Sequence, residues 1–333
     1  MSKRHQVSVN GTSFSARSGQ LILDAALLSG VDLPHDCRAG RCGSCIARVV
    51  RGVTLGGETL QPGMVHTCQA RVFSGLELTV EPLPPVRVVR ASVVELVDVA
   101  RDVVEVVMQP EEPVGYLPGQ YCRFTFRGFP PRAYSPTAPI DRRWGGRELR
   151  LNVKRVRDGR VSNALGEQIR PGHRVAIEGP FGHAFFRPGQ QGRLVLVAGG
   201  TGFAPIWSIA TAALTENPLR EIVLIAGVKS LTSCYMVSAL DHAIMFPNVE
   251  VIIGCEQPHP AIPELQLGPP SDHLPALRPS DIVYAAGAPK MVSTVAAEAS
   301  AVHCQFYCDP FEPTFTAADN WLTKAANWLS AAS

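Results

Sequence analysis

The 333-residue sequence has no long apolar run, and its first residues contain no apolar segment. A membrane-spanning helix needs about 18 or more consecutive apolar residues, and an export signal needs an apolar stretch behind a basic start. Residues 1–18 are polar instead. These absences argue against a membrane protein or an exported one. We therefore expect a cytoplasmic protein that does not bind membranes.

The sequence also lacks an excess of charge of either sign. It has 31 basic and 29 acidic residues, for a formal net charge of +2. Proteins that bind nucleic acid concentrate basic residues on one face, so we expect no nucleic-acid partner. Hydrophobic residues make up 46% and charged residues 18% of the chain, a balance typical of folded globular domains. A length of 333 residues favours two or three such domains.

Four of the nine cysteines have the spacing of a metal site. Cys37, Cys42 and Cys45 form a C-x4-C-x2-C run, and Cys68 follows in the segment HTCQA. This is the plant-type spacing of a [2Fe–2S] cluster, in which each iron takes two thiolates. A zinc site is the alternative, but its cysteines usually come as two C-x2-C pairs. We predict that these four thiolates hold a [2Fe–2S] cluster and that the other cysteines are incidental.

The first part of the chain reads as strands with one helix. Residues 6–16 alternate around Asn10-Gly11, which predicts a hairpin. Residues 21–28 predict a helix that ends near Gly30. Two more strands are predicted, at 46–50 and 76–80. The proline-rich segment 81–85 predicts a domain boundary.

Two further strand patterns follow. Short strands with glycine and proline between them predict an antiparallel barrel, with members at 91–96, 103–108, 121–126, 149–155 and 174–178. After Gly192, apolar strands alternate with helices, which predicts a parallel sheet covered on both faces. These strands are predicted at 194–198, 222–226, 249–253 and 282–285. Beyond residue 313, Trp321 and Trp328 recur at helical spacing.

The segment Arg132-Ala133-Tyr134-Ser135, preceded by Pro118-Gly119-Gln120-Tyr121, resembles the R-x-Y-S motif of the ferredoxin–NADP reductase superfamily. The resemblance implies that Arg132 neutralises the flavin pyrophosphate and that Tyr134 packs on the isoalloxazine ring. It also implies that the Ser135 hydroxyl reaches the ring near N5 and takes part in catalysis.

The same resemblance implies further flavin contacts. Backbone atoms of Asn152, Val153 and Lys154 are expected to touch the flavin. Gly159, Val161 and Ser162 look like the G-x-x-S turn that leads into a helix and cradles the phosphates. The order of the segments, with the cysteine motif first, implies FAD rather than FMN.

The segment AGGTGFAP at 198–205 follows an apolar strand and opens a predicted helix. Glycines at such a turn let a pyrophosphate approach the helix N-terminus. The segment resembles the G-G-T-G-x-x-P turn of the superfamily, which implies four residues that bind the nicotinamide cofactor: Gly200, Thr201, Gly202 and Pro205.

A second segment, AGAPKM at 286–291, resembles the C-G-x-P-x-M sequence near the nicotinamide. The resemblance implies cofactor contacts from Gly287, Ala288 and Pro289. The usual cysteine is Ala286 here, and we expect slower turnover at most, because hydride transfer depends mainly on positioning.

The choice between NADH and NADPH is left open by the residues. The segment 227–235 contains no Asp or Glu to bind ribose hydroxyls. Lys229 could bind a 2′-phosphate or could be a solvated surface lysine. Family habit favours NADH.

The segment Tyr307-Cys308-Asp309-Pro310-Phe311 resembles the one that places an aromatic ring beside the flavin. The resemblance implies that Phe311 covers the flavin until the nicotinamide displaces it, and a core phenylalanine is the alternative.

Together these segments resemble the reductase components of bacterial ring-hydroxylating dioxygenases and soluble di-iron monooxygenases. The implied fold is multidomain, α+β and α/β. It comprises a β-grasp ferredoxin domain at 1–84, an antiparallel flavin-binding β-barrel at 85–190, a parallel α/β nicotinamide-binding domain at 191–313 and a helical tail at 314–333.

The implied function is that of an NAD(P)H-dependent iron–sulfur flavoprotein oxidoreductase. It would take a hydride from NADH onto FAD and pass single electrons through the cluster to the terminal oxygenase, or an intermediate ferredoxin, of an aromatic ring-hydroxylating dioxygenase system. The alternatives are service to a di-iron monooxygenase, service to a non-oxygenase acceptor such as a deoxysugar-synthesis enzyme, and a redox carrier without steady turnover.

We expect a monomer. Arg38 and Arg41 either help to dock an acidic partner or are simply solvated.

Overall fold

A computed structural model describes residues 3–59, 61–139, 147–259 and 266–311. Within these ranges the chain forms three main sheets that follow one another along the sequence. The predicted helical tail at 314–333 lies outside the described residues.

The first sheet has five strands in the order β2-β1-β7-β3-β5, with a short pair, β4 and β6, beside it. Its elements are β1 (Arg4–Val9), β2 (Thr12–Arg17), α1 (Ile22–Leu28), β3 (Ile46–Arg51), β4 (Thr54–Leu55), β5 (Met64–His66), β6 (Arg71–Val72) and β7 (Leu76–Thr79). The predicted hairpin is confirmed, because Asn10 and Gly11 both have positive φ, 49° and 85°. The apolar face of α1 is fully buried against the sheet through Ile22, Leu23 and Ala26.

The second sheet has six antiparallel strands in the order β11-β10-β13-β8-β9-β12. They are β8 (Arg87–Ala100), β9 (Val103–Pro110), β10 (Tyr121–Phe126), β11 (Arg132–Tyr134), β12 (Leu149–Lys154) and β13 (Arg174–Phe181). The two edges approach each other just after β11, where the Thr137 amide donates to the Arg150 carbonyl at 2.9 Å. This bridge closes the sheet toward the predicted barrel, which is filled by Phe124, Phe126 and Leu151.

The segment after Gly159 differs from the expected turn and helix. It forms successive turns with short-range backbone bonds, such as Asn163 N to Gly159 O at 3.1 Å, and no helix follows. The Ser162 hydroxyl accepts a hydrogen bond from the Val156 amide at 3.3 Å. The backbone of this segment is therefore held by local turns, and the predicted helix is wrong.

The third sheet is entirely parallel, in the order β17-β16-β15-β14-β18-β19. Its elements are β14 (Leu194–Gly199), α2 (Phe203–Glu216), β15 (Ile222–Val228), α3 (Val237–Ala243), β16 (Val249–Cys255), β17 (Gln266–Leu267), β18 (Ile282–Gly287), α4 (Pro289–Ala301) and β19 (Gln305–Pro310). Alternate residues of β14 face opposite sides: Leu194 and Leu196 pack with α2 and α3, and Val195 and Val197 pack with α4. The prediction of a sheet covered on both faces is confirmed.

A buried ion pair holds the starts of the neighbouring strands β14 and β18 together. Arg193 donates to both carboxylate oxygens of Asp281, at 3.2 and 2.7 Å, and the Arg278 amide donates to the same carboxylate at 2.8 Å. Asp281 is 1% exposed and Arg193 is 9% exposed. The carboxylate is thus fully committed to hydrogen bonds inside the protein.

We expect Asp281→Asn to destabilise the protein strongly, because Arg193 would keep a buried charge without its counterion. Loss of one partner from a buried pair costs about 3–5 kcal/mol, and denaturant unfolding of wild type and variant measures the difference. Asp158→Asn is the control, because Asp158 and Arg157 form a pair whose side chains are more than nine-tenths exposed. Equal effects of the two variants would contradict the prediction.

Candidate active site

The loop between α1 and β3 carries three of the four predicted metal ligands. Positive φ angles at Arg38, Gly40 and Gly43, of 53°, 71° and 71°, turn its backbone back on itself. As a result the amides of Ala39, Arg41 and Cys42 lie 3.4–3.5 Å from the Cys37 sulfur. A hydrogen bond from Cys42 and these amides lower the pKa of Cys37 to about 5, against the opposing effect of partial burial. The loop therefore favours a thiolate at Cys37.

The four cysteines form two pairs. Cys37 and Cys42 make one, with the Cys37 amide 3.5 Å from the Cys42 sulfur. Cys45 and Cys68 make the other, with their sulfurs 3.3 Å apart and both residues 3% exposed. Burial raises the pKa of Cys45 to about 12, which a bound cation would reverse. Two pairs of thiols are the donor set of a two-iron cluster.

A mononuclear zinc site needs four ligands that converge on one point. Among the described residues, no three His, Cys, Asp or Glu side chains are grouped in that way. The paired arrangement of the cysteines therefore fits the [2Fe–2S] interpretation better than the zinc alternative.

The predicted flavin residues lie on or after β11 and β12, the two edge strands of the barrel sheet. Arg132 and Tyr134 are on β11, and Tyr134 packs 6.0 Å from the Phe124 ring. Burial raises the pKa of the Tyr134 hydroxyl to about 12, so it stays protonated at neutral pH. Ser135 follows and is buried. An arginine and an aromatic ring, presented side by side on an edge strand, suit a flat ring that carries a pyrophosphate.

The remaining predicted flavin residues are placed in two groups. Asn152, Val153 and Lys154 end β12, where Val153 is 1% exposed in the barrel core and Lys154 lies 3.4 Å from Asp102. Val161 is also buried in that core. Only backbone atoms of these two valines could therefore contact a cofactor, as predicted for Val153.

Two glycine turns interlock at the carboxyl end of the parallel sheet. The first, Gly200–Gly202, is a 3₁₀ turn that contains Thr201 and leads directly into α2, with Pro205 in the first helical turn. A Cβ on Gly202 would lie 2.1 Å from the Ala286 carbonyl oxygen. A Cβ on Gly287, which has φ of 133°, would lie 2.7 Å from the Gly199 carbonyl oxygen. Both positions therefore require glycine.

The N-termini of α2 and α4 lie at this edge of the sheet, next to the residues predicted to bind the nicotinamide cofactor. Ala288 caps α4, whose first residue is Pro289. Nothing lies within 4 Å of the position of a Cβ on Gly200, which has φ of 54°, so the first turn faces open space. Backbone N–H groups at helix starts favour anions, and the arrangement suits a dinucleotide pyrophosphate.

Lys229 is exposed and follows the last residue of β15 at the same sheet edge. The hydroxyl groups of Ser230, Thr232 and Ser233 hydrogen-bond one another beside it, at 2.9 and 3.1 Å. These groups could contact either ribose hydroxyls or a phosphate, so the cofactor preference stays a prediction.

The last described strand brings an unpredicted carboxyl to the flavin site. The Ser135 hydroxyl donates to Asp309 at 3.1 Å across 174 positions of sequence. Burial raises the pKa of Asp309 to about 6. Phe311, two residues on, is only partly buried, and its amide donates to the Gly287 carbonyl at 2.7 Å. The Phe311 backbone is thus bonded to the second glycine turn, two residues after the carboxyl that binds Ser135.

Tyr235 is a second residue of this region that was not predicted from the sequence. Its ring packs against Phe203, its hydroxyl lies 3.4 Å from the Gly200 carbonyl and it interacts with Asn152 of the barrel. Tyr235 therefore links β12, which carries three of the predicted flavin residues, to the glycine turn at Gly200–Gly202. Its position after the hydroxyl-rich segment 230–233 was the only signal in the sequence.

Comparison with protein families matches all three parts of the chain. Residues 7–73 match the 2Fe-2S iron-sulfur cluster binding domain, residues 90–186 the oxidoreductase FAD-binding domain and residues 196–297 the oxidoreductase NAD-binding domain. Among the described residues, no helix is long and apolar enough to cross a membrane.

Characterised relatives share most of the chain. The ferredoxin–NAD(+) reductase component of the alkene monooxygenase system of Xanthobacter autotrophicus is 33% identical over 84% of this chain and 91% of its own length. The reductase component of the naphthalene 1,2-dioxygenase/salicylate 5-hydroxylase systems of Ralstonia is 29% identical over 90% and 96%.

Solved structures share the fold. An Amycolatopsis cytochrome P450 reductase superposes with a TM-score of 0.67 and 30% identity, over 93% of this chain and 99% of its own. The ferredoxin reductase of carbazole 1,9a-dioxygenase gives 0.64 at 24% identity, over 94% and 99%. With its three domains in the order [2Fe–2S], FAD and NAD, the chain belongs to the family of ferredoxin–NAD reductase components and is an NAD(P)H-dependent iron–sulfur flavoprotein oxidoreductase.

Proposed function

We propose that the protein takes a hydride from NADH and delivers single electrons to the terminal oxygenase, or to an intermediate ferredoxin, of an aromatic ring-hydroxylating dioxygenase system. The observation that carries the proposal is the packing of the cysteine loop on the barrel, where Asp36 accepts hydrogen bonds from Tyr121 and Arg123 of β10, the strand next to β11. The Gly182 amide of the barrel donates to the Ser44 hydroxyl of the loop at 2.9 Å. Such packing suits the passage of electrons from one site to the other.

A monooxygenase is the second candidate acceptor. The relative that is 33% identical over 84% of this chain serves an alkene monooxygenase system, whereas the Ralstonia relative serves a dioxygenase and a hydroxylase. Pairing the purified reductase with each class of oxygenase and measuring NADH-dependent product separates the two. If neither class of oxygenase forms product with this reductase, both candidate acceptors are wrong.

Each group of residues has a role in this proposal. Cys37, Cys42, Cys45 and Cys68 hold the cluster, and Arg132 and Tyr134 hold the flavin. FAD, when bound, accepts two electrons as a hydride and releases them singly. The glycine turns at Gly200–Gly202 and Gly287 bind the dinucleotide, and Phe311 covers the flavin face in its absence.

Ser135 and Asp309 form a proton-holding pair in this site. An ionised carboxylate only accepts hydrogen bonds, so Ser135 must then donate to Asp309. A protonated Asp309 can donate to Ser135 instead, which frees the hydroxyl proton to point at the flavin. The pKa of about 6 lets the pair change between these states near neutral pH.

We expect the rate of flavin reduction by NADH to fall as the pH rises through about 6, because Asp309 then loses the proton that frees Ser135. Asp309→Asn is neutral at every pH and should remove this break. Stopped-flow absorbance between pH 5 and 8 measures the rate, with the exposed Asp241→Asn on α3 as control. If the rate of flavin reduction still falls near pH 6 in Asp309→Asn, another titrating group causes the pH dependence.

Cys68→Ala should separate the two redox sites. We expect loss of cluster iron and a fall of about 100-fold or more in NADH-dependent cytochrome c reduction, because one iron would lose a ligand. Bleaching of the flavin by NADH should persist. Cys234→Ser, outside the motif, should keep its iron. Full iron content in Cys68→Ala, measured by metal analysis, would remove Cys68 from the ligand set.

The partner is proposed to dock on the exposed side of the cysteine loop. Arg38 is 53% exposed there and forms an ion pair with Asp24 of its own domain. Such surface pairs are weak, so an acidic partner could compete with Asp24. The structure thus gives Arg38 a local partner that the sequence analysis did not foresee.

Arg38→Glu should slow electron delivery to the partner by about threefold to tenfold at low ionic strength, and the difference should shrink as salt rises. Arg157→Glu, on an arginine that is 97% exposed in the barrel domain, is the control. Reduction of the flavin by NADH should be unchanged in both. Equal delivery rates for wild type and Arg38→Glu at every salt concentration would exclude the arginine.

A further inference from the structure

Asp36, the residue before the first cluster ligand, is bonded through both carboxylate oxygens to the flavin barrel. The Tyr121 hydroxyl donates to one oxygen at 2.5 Å, and the Arg123 guanidinium donates to the other. The Asp36 side chain is 12% exposed although it belongs to a surface loop. Both of these hydrogen bonds thus cross the boundary between two domains.

The barrel side of this contact is built to hold the carboxylate. Arg123 is fixed from two further directions, by Glu178 at 2.6 Å and by the Phe181 ring, whose centroid lies 5.0 Å from the guanidinium carbon. Tyr121 packs 5.7 Å from the same ring, and its hydroxyl also interacts with Cys42. Two preorganised donors therefore meet one carboxylate beside the cluster ligands.

The contact lies one strand away from the flavin residues. Tyr121 and Arg123 alternate with Cys122 along β10, and Cys122, which is buried in the barrel core, pairs in register with Tyr134 on β11. Adjacent strands are about 4.8 Å apart. The strand that receives the cysteine loop on one face is thus hydrogen-bonded along its edge to the strand that carries the flavin motif.

The far end of the same loop is fastened separately. Ser44, 3% exposed, accepts the Gly182 amide at 2.9 Å, and a Cβ on Gly43 would lie 3.4 Å from the His183 side chain. The loop is therefore held at both ends, by a charged contact before Cys37 and a neutral one before Cys45.

We propose that Asp36 is a positioning residue that, through Tyr121 and Arg123, clamps the cluster loop at the distance from the flavin that internal electron transfer needs. The inference rests on the proposed function of the two redox sites. The step concerned is the transfer of one electron from the NADH-reduced flavin to the oxidised cluster, with no bond formed or broken. With both groups bound, a second electron would follow by the same route once the cluster had been oxidised again.

The test uses the full-length holoprotein with NADH and no partner protein. Stopped-flow absorbance follows flavin reduction, and rapid-freeze EPR follows cluster reduction in wild type, Asp36→Asn, Arg123→Gln and the double variant. We expect flavin reduction to be unchanged and cluster reduction to slow by at least about tenfold in each variant, because a small misplacement has large kinetic effects. The effect of the double variant should be smaller than the two single effects combined, since both substitutions remove the Asp36–Arg123 contact, although Arg123→Gln also removes the contact to Glu178.

Asp24→Asn is the matched control. Asp24 also binds an arginine of the cluster loop, Arg38, but within the ferredoxin domain. Its cluster reduction should remain at the wild-type rate. Hydrogen–deuterium exchange supplies a readout independent of turnover: the amides at 178–183 should exchange faster in Asp36→Asn and Arg123→Gln and remain protected in Asp24→Asn.

The possible outcomes test the positioning role of Asp36 separately from the proposed function on which it rests. Wild-type cluster reduction in Asp36→Asn and Arg123→Gln would overturn the clamp, as would additive effects in the double variant. Failure of NADH to reduce the flavin in wild type would overturn the proposed function instead. If Asp36→Asn loses cluster iron, the test rests on Arg123→Gln alone, because that substitution leaves the sequence of the cysteine loop intact. Arg123→Lys, which keeps the positive charge, should then recover part of the rate of cluster reduction.

Discussion

The structure depends on the packing of the cysteine loop against the flavin barrel. Cys42 and Tyr134 are far apart in sequence, and each belongs to a domain with its own hydrophobic core. Electrons can pass between the two sites only if those separately folded domains are held together. The contacts between loop and barrel include hydrogen bonds from Tyr121 and Arg123 to Asp36 and from the Gly182 amide to Ser44.

Arg187 extends the same principle to the third domain. It binds Glu81 at 2.6 Å and lies 3.9 Å from the centres of both the Phe185 and the Tyr307 rings. Burial opposes ionisation of Glu81, but hydrogen bonds from His183 and Arg187 lower its pKa to about 2. The pair is therefore charged at neutral pH. One guanidinium thus joins the end of the ferredoxin domain, the barrel and the last strand of the nicotinamide domain.

Local sequence signals predicted what is local in the structure. The Asn10-Gly11 hairpin and the apolar strands after Gly192 depend on neighbouring residues, and both have their predicted form. The segment after Gly159 forms turns instead of the expected helix, and the Ser162 hydroxyl accepts a hydrogen bond from the Val156 amide. Asp36 and Asp309 were missed for a different reason. Their partners lie 85 and 174 positions away, and no periodicity or spacing encodes such contacts.

The proposed site for hydride transfer includes the last described strand, β19. β19 pairs in register with β18, which places Asp309 beside Ala286 and Pro310 beside Gly287. The same strand carries Asp309 to Ser135 of the barrel and Phe311 to the second glycine turn. Because β19 belongs to the nicotinamide domain and Ser135 to the barrel, the Ser135–Asp309 bond can form only when these domains are docked. The proposed proton-holding pair is therefore also a contact between domains, and any opening of that junction would separate Asp309 from the Ser135 hydroxyl.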